Sequence, residues 1–291
     1  YDEAAGIRRR LGLDKDLSQT LNNLGVARRT QAQMGIDPTA NLERAMTAYD
    51  EAAGIRRRLG LDKDLSGTLN NLGSARRTQA EMGIDPTANL ERAMTAYDEA
   101  AGIRRRLGLD KDLSQTLNNL GLARKTQAEM GIDPTANLER AITAYDEAAG
   151  ISRRLGLDKD LSGTLTNLGA ARYTQAEMGI DPTANLERAI TAYDEAAGIS
   201  RRLGLDKDLS GTLTNLGAAR YTQAEMGIDP TANLERAITA YDEAAGISRR
   251  LGLDKDLSGT LTNLGAARYT QAEMGIDPTA NLERAITAYD G

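Results

Sequence analysis

The chain is 291 residues long and contains no His, Cys, Trp or Phe, which excludes imidazole acid–base chemistry, thiol nucleophiles, disulfides, and zinc or haem sites built on nitrogen and sulfur ligands. Its 42 acidic and 36 basic residues give a formal charge of −6, the wrong sign for a nucleic-acid partner. No apolar run approaches the roughly 20 residues a bilayer crossing needs, so no membrane partner is expected.

In chain order, residues 1–11 read as the second half of a helix. Leu11-Gly12-Leu13-Asp14 stops it: Gly supplies the left-handed residue after the last turn, and the apolar residue beyond folds back on the helix end. A helix A follows near 16–34, with Asp16 as its expected cap and Leu17, Leu21, Leu24 and Ala32 at helical spacing. Met34-Gly35-Ile36-Asp37 is a second stop of the same kind. Asp37-Pro38 then opens a helix B near 38–59, because Asp caps free N–H groups and Pro suits the first helical position. Leu42, Ala45, Met46, Tyr49, Ala52, Ala53 and Leu59 form its apolar stripe. Gln19 and Gln115 are placed to complete a capping box in two copies. Gly25 and Gly54 sit mid-helix, each at a cost of about 0.8–1 kcal/mol relative to Ala, and close helix–helix approach is the expected compensation.

The pattern then repeats. Tyr-Asp-Glu-Ala-Ala-Gly-Ile recurs at Tyr1, Tyr49, Tyr97, Tyr145, Tyr193 and Tyr241, a period of 48 residues. A period of this size implies a stacked array whose stability comes from nearest-neighbour contacts. The expected organisation is one array over 1–291, with units 1–48, 49–96, 97–144, 145–192, 193–240 and 241–288, and helix B split at both ends. Nothing at the start reads as a signal peptide, and Tyr1 opens inside a repeat, as expected of a segment cut from a longer protein. The lack of cysteine fits a cytoplasmic location.

Leu21, Leu24-Gly25 and Arg28, followed by Ala45 and Tyr49, resemble the tetratricopeptide-repeat pattern Trp-x2-Leu-Gly-x2-Tyr, then Ala-x3-Phe. Leu stands for the Trp, Arg28 for the Tyr, the closing Pro is missing, and the unit is longer than the family's 34 residues, which we read as lengthened helices. The resemblance covers all six units. It implies an all-α, right-handed superhelical α-solenoid of six near-identical helix-turn-helix repeats, whose concave surface, lined by helix A, binds extended peptides or partner proteins.

Comparison of the copies gives an independent line. Only seven of the 48 unit positions vary, and copies four to six are identical. Five of the seven, represented by Gln19, Asn22, Val26, Arg29 and Gln33, occupy an arc of roughly 80° on helix A. Free drift of an exposed face is the plain alternative, yet Lys15, Asn41, Glu43 and Arg44, also expected to be exposed, do not vary. Copies one to three offer Arg29, Arg77 and Lys125 beside Asn22, Asn70 and Asn118. Copies four to six offer Tyr173, Tyr221 and Tyr269 beside Thr166, Thr214 and Thr262. The first three copies carry 21 basic and 20 acidic residues and the last three 15 and 21, so an extended ligand is expected to meet a cationic half and a tyrosine-lined, more acidic half. At the edge of the arc an unvarying Asn row, Asn23, Asn71, Asn119, Asn167, Asn215 and Asn263, offers paired donors and acceptors that can grip a peptide bond. The same Asn could instead bond a neighbouring helix.

Other motifs carry less. Asp158-Lys159-Asp160 resembles the start of a calcium loop, but Gly169 stands where the bidentate Glu belongs, so no metal is expected. Arg8-Arg9-Arg10 suits a helix C-terminus, Arg28 is expected to pair with a helix B carboxylate, and Tyr49 belongs to the core. No nucleotide loop or catalytic dyad is present, and neither an enzyme nor a cofactor is expected. The reading is a non-enzymatic peptide- or protein-binding scaffold. The alternative is a structural spacer, or a head-to-tail self-associating array joined through the split terminal helices.

Overall fold

The computed structural model describes residues 1–290, with side chains through Tyr289. The described residues form helices joined by short loops, with no strand among them. The B-type helices are α1 (Asp2–Arg10), α3 (Pro38–Arg58), α5 (Pro86–Leu107), α7 (Pro134–Leu155), α9 (Pro182–Leu203), α11 (Pro230–Leu251) and α13 (Pro278–Asp290). The A-type helices are α2 (Asp14–Gln33), α4 (Asp62–Glu81), α6 (Asp110–Glu129), α8 (Asp158–Glu177), α10 (Asp206–Glu225) and α12 (Asp254–Glu273). The architecture is an all-α solenoid of helix pairs.

The glycine stops work as their sequence suggests. Gly12 and Gly35 have φ of 66° and 79°. The Leu13 N–H reaches back to the Arg8 carbonyl at 3.0 Å, and the Ile36 N–H to the Gln31 carbonyl at 3.0 Å, which satisfies carbonyls that the last turn leaves unpaired. The helix starts differ from expectation. α2 begins at Asp14 with Leu13 as its N-cap, so Asp16 lies inside the first turn, where the dipole favours a carboxylate. Neither Asp16 nor Asp37 makes a side-chain cap bond. Asp37 instead takes a left-handed φ of 37°, since Pro38 bars the right-handed helical region to the residue before it and Asp tolerates the left-handed one. The loop is tied by a side chain the sequence pattern placed in solvent: Asn41 is buried, and its Nδ2 donates to the Ile36 carbonyl at 2.8 Å. Gln19 forms no capping box and donates to Asn23 Oδ1 at 2.9 Å.

The two mid-helix glycines also part company. A Cβ on Gly25 would lie 2.5 Å from the Tyr49 ring, so glycine is what lets helix B seat its tyrosine against helix A. A Cβ on Gly54 would meet nothing within 4 Å, and nothing in the structure explains that glycine. Leu59 caps the end of α3 and is exposed, outside the stripe assigned to it.

The chain divides into two compact units, Tyr1–Ile151 and Ser152–Gly291, with the division falling inside α7. In unit 1, each helix A is sandwiched between the helix B before it and the one after. Ala32, Leu42, Ala45, Tyr49, Leu72 and Ala75 form one core cluster, and Ala53, Leu65, Leu69, Ala100 and Ile103 another. Unit 2 repeats the pattern with Leu186, Ala189, Ile190, Tyr193, Leu216 and Ala219 among its buried residues. Successive A helices approach closely, α2 with α4 and α4 with α6 in unit 1, α8 with α10 and α10 with α12 in unit 2, whereas α3 and α5, or α9 and α11, do not. The A helices therefore form the tighter layer of each unit.

Candidate functional site

Five of the seven varying positions lie on helix A, and much of the face where successive A helices meet is wired along the array. In unit 1, Asn22 Oδ1 accepts from Thr68 Oγ1 at 3.0 Å and from Asn71 Nδ2 at 3.5 Å. One repeat on, Asn70 Oδ1 accepts from Thr116 at 3.1 Å and from Asn119 Nδ2 at 3.3 Å. The same Thr68 and Thr116 hydroxyls take a hydrogen bond from a buried guanidinium, that of Arg56 and Arg104 respectively. Arg56 also donates to the Asp64 carbonyl at 2.9 Å, to Ser18 Oγ at 3.3 Å and to Gln19 Oε1 at 3.0 Å. Burial works against the charge of this guanidinium and the nearby Asp64 carboxylate supports it.

Of the cationic row, Arg77 and Lys125 pair with Glu81 and Glu129 one turn on, while Arg29 has Gln33 at the matching place. All three side chains are half-buried. Arg29 and Arg77 stand close to tyrosines rising from helix B. Burial pushes the Tyr49 phenol up to about 12, with the Arg29 cation pulling it back. Burial also raises Tyr97, whose hydroxyl bonds Ser74 Oγ at 3.1 Å. Tyr49 Oη is buried with no hydrogen-bond partner.

In unit 2 the seam is rebuilt with hydroxyls. Thr166 and Thr212 share a hydrogen bond at 2.9 Å, as do Thr214 and Thr260. Ser200 and Ser248 replace the buried arginine and bond Ser162 and Ser210 at 2.7 Å. Tyr173 lies half-buried against the core cluster of its unit, and its hydroxyl bonds Thr222 at 3.1 Å. Tyr221 bonds Thr270 in the same way, and Tyr269 is 47% exposed. Burial raises the Tyr173 and Tyr221 phenols, partly offset by those threonine bonds.

Between α10 and α12 an open cavity of about 520 Å³ is lined by Ser210, Gly211, Thr214, Asn215, Lys255, Asp256, Gly259, Thr260, Thr262 and Asn263. It gathers two members of the unvarying Asn row, Asn215 and Asn263, on one wall of polar groups. The A-helix glycines Gly211 and Gly259 stand where copies one and three carry Gln19 and Gln115.

The other singled-out groups have structural work. Arg28, Arg76, Arg124, Arg220 and Arg268 pair with the preceding helix B through Asp2, Asp50, Asp98, Asp194 and Asp242 at 3.0–3.4 Å. Arg57 holds Glu99 at 2.7 Å and Arg58 holds Asp14 at 2.7 Å. Asp158, at the start of the calcium-like stretch, is engaged by Arg202 at 2.6 Å. Clefts between successive B helices, such as one of about 260 Å³ floored by Leu69 and Leu72, are bridged at the rim by the Arg57–Glu99 and Arg76–Asp50 pairs. Among the described residues no helix is long and apolar enough to cross a membrane.

Sequence reading passed over Arg56, Ser18 and Thr68 as parts of this face. The signal was present: the Arg-to-Ser change at position 8 of the unit, the place of Arg56, and the Asn-to-Thr change at position 22 switch in the same copies.

Neither a protein-family model nor a curated protein matches the sequence. Solved structures do match in fold. One is the crystal structure of a signal-transduction ATPase with numerous domains (STAND), a protein with a tetratricopeptide-repeat sensor, from Pyrococcus horikoshii. It is 15% identical with a TM-score of 0.60, over 95% of this chain and 39% of that one. Another is a Rap protein complexed with competence and sporulation factor, 14% identical with a TM-score of 0.50, over 97% of this chain and 82% of that one. The chain thus spans well under half the length of the STAND protein. At these identities the likeness is one of fold, that of a tetratricopeptide-like α-solenoid.

Proposed function

We propose that this tetratricopeptide-like array is a non-enzymatic, cytoplasmic scaffold that binds a peptide or protein partner along its A-helix face. The observation that carries the reading is the polar cavity between α10 and α12, which brings Asn215 and Asn263 together beside Thr214 and Thr262. Support by analogy comes from the two fold relatives, one described as carrying a repeat sensor and one solved with a bound factor; fold alone does not fix function. In this reading Asn23, Asn71, Asn119, Asn167, Asn215 and Asn263 grip the backbone of the partner. Arg29, Arg77 and Lys125 beside Asn22, Asn70 and Asn118 favour acidic groups, and Tyr173, Tyr221 and Tyr269 favour apolar or cationic ones.

The test separates the two ends of the Asn row. Asn215→Ala with Asn263→Ala is expected to lower retention on a random-peptide array at least several-fold while the melting temperature stays within a degree or so. Asn71→Ala with Asn119→Ala removes seam bonds and is expected to lower the melting temperature as well. No retained peptide, or retention unchanged by the first pair, would overturn the reading. A second reading, a self-assembling spacer, draws on Leu282, Ile286 and Tyr289, which are 41%, 58% and 54% exposed in this segment. Concentration-dependent mass in sedimentation together with no peptide retention would favour it.

A further inference from the structure

The two units hold the same acceptors around different contents. In unit 1 the Arg104 guanidinium lies buried, donating to the Asp112 carbonyl at 2.7 Å, to the Thr116 hydroxyl, and to Ser66 Oγ at 3.4 Å. The Asp112 carboxylate supports its charge against burial. Three repeats further on, the corresponding residues are Asp256, Thr260 and Ser210, all unchanged, while Ser248 stands in place of the arginine. Asp256, Thr260 and Ser210 line the cavity of about 520 Å³ between α10 and α12. The seam has kept the oxygen atoms that receive a guanidinium and has lost the guanidinium. Ser210 now bonds Ser248 at 2.7 Å and the Ala244 carbonyl at 3.1 Å, and Thr260 bonds Thr214 and the Asp256 carbonyl at 2.9 Å each, so a guest uses their remaining lone pairs or displaces those bonds.

We propose that this cavity is a receptor for a guanidinium group, carried into it by an arginine side chain of the partner. The inference rests on the A face being the binding surface and names the chemistry that surface reads in unit 2. The lining favours a cation with planar, forked donors. The acceptors are uncharged hydroxyls and a carbonyl arranged around a site that demonstrably holds that fork in unit 1, with a carboxylate nearby. No side chain stands at Gly211 or Gly259, where a Cβ would meet nothing within 4 Å, whereas in copy one the matching Gln19 reaches the Arg56 guanidinium at 3.0 Å. Lys255 also lines the cavity, but it is exposed and free to turn to water. The α8–α10 seam carries the same residues, with Ser200 bonded to Ser162 and Thr212 to Thr166.

The probe is ethylguanidinium, followed by ligand-observed NMR on the whole chain, with butylammonium as the point-charge control. Ethylguanidinium is expected to saturate at a concentration about tenfold lower than butylammonium. Ser200→Arg with Ser248→Arg supplies the chain's own guanidinium and is expected to weaken ethylguanidinium binding by about tenfold or more. Thr212→Val with Thr260→Val keeps the shape, removes two acceptors and serves if the arginine pair fails to fold; it is expected to weaken binding several-fold. Equal binding of the two cations, or binding unaltered by either pair, would overturn the proposal. Short peptides differing only in Arg, Lys or Ala then separate the two readings. Retention regardless of that residue leaves the scaffold standing and removes the guanidinium receptor. Ethylguanidinium binding with no peptide retained keeps the receptor, for free guanidinium compounds such as arginine, and removes the scaffold.

Discussion

Unit 1 and unit 2 are built from the same helix pattern, much the same leucine and alanine core and the same ion pairs between B helices, and they differ chiefly along the polar face where successive A helices meet. Unit 1 closes it with a buried arginine passed from helix B, a threonine and an asparagine in sequence. Unit 2 closes it with paired serines and paired threonines and leaves a cavity. The difference teaches that residues on one helix face can vary because they are bonded to one another across repeats, and that such variation comes in matched sets. The exchange of a large cation for a hydroxyl leaves the helix bounds in register, α5 at Pro86–Leu107 and α9 at Pro182–Leu203, and the hydroxyls that faced the cation bond elsewhere.

The matched-set view is broken or sharpened most by importing one unit's residue into the other. Arg104→Ser strands acceptors and opens space in unit 1, and we expect a loss of about 1–3 kcal/mol in urea denaturation. Adding Asn70→Thr should restore part of it, with a coupling of about 0.5–3 kcal/mol because both side chains bond Thr116. Strict additivity would show that the two changes are unrelated. A smaller effect is expected from the tyrosines. Tyr97→Phe loses the bond to Ser74, about 0.5–1.5 kcal/mol, whereas Tyr49→Phe should be neutral or stabilising, because its buried hydroxyl has no partner. The folded Tyr49 pKa is raised above the ordinary value of about 10. Its contribution is therefore intact below that pH and lost as pH climbs through about 12, and Tyr49→Phe should remove that part of the alkaline decline in denaturation midpoint. Smallest of all, Glu99→Gln and Glu243→Gln each remove an exposed ion pair, from Arg57 and Arg201, and should cost about 0–1 kcal/mol alike. A clear inequality between them would mean that the units differ in more than the seam.

Much of the fold was legible because the signals that make it are local. Two glycine stops per unit and an apolar stripe at helical spacing locate both helices, and Gly25 beside Tyr49 follows from the absence of any larger aromatic to fill the core. Asn41 was not legible as a buried loop tie, since its bond runs to a carbonyl in a turn whose left-handed Asp37 no periodicity reveals. The face was legible as an arc, but its wiring was not. A helical wheel gives an angle and says nothing of reach, so Arg56, long and on the other helix, went unconnected to Thr68 and Asn22. Tyr173 shows the same limit: its angle places it on the arc but does not reveal that its ring also packs on the core or that its hydroxyl bonds Thr222. The cavity by Asn215 needed three absences at once, Arg, Gln and Asn, which no single position announces.

The seam bonds described above join residues of one module or of two adjoining ones, and the longest, such as Arg57 to Glu99 or Thr214 to Thr260, reach no further than the next module. Among the identical copies four to six, deleting or duplicating a whole 48-residue module therefore presents the newly adjacent neighbours with the same atoms in the same places. Array length can drift by unequal recombination among like modules without passing through an ill-fitting junction, and such a lineage could lengthen or shorten its reach while each pairwise joint stays as it was.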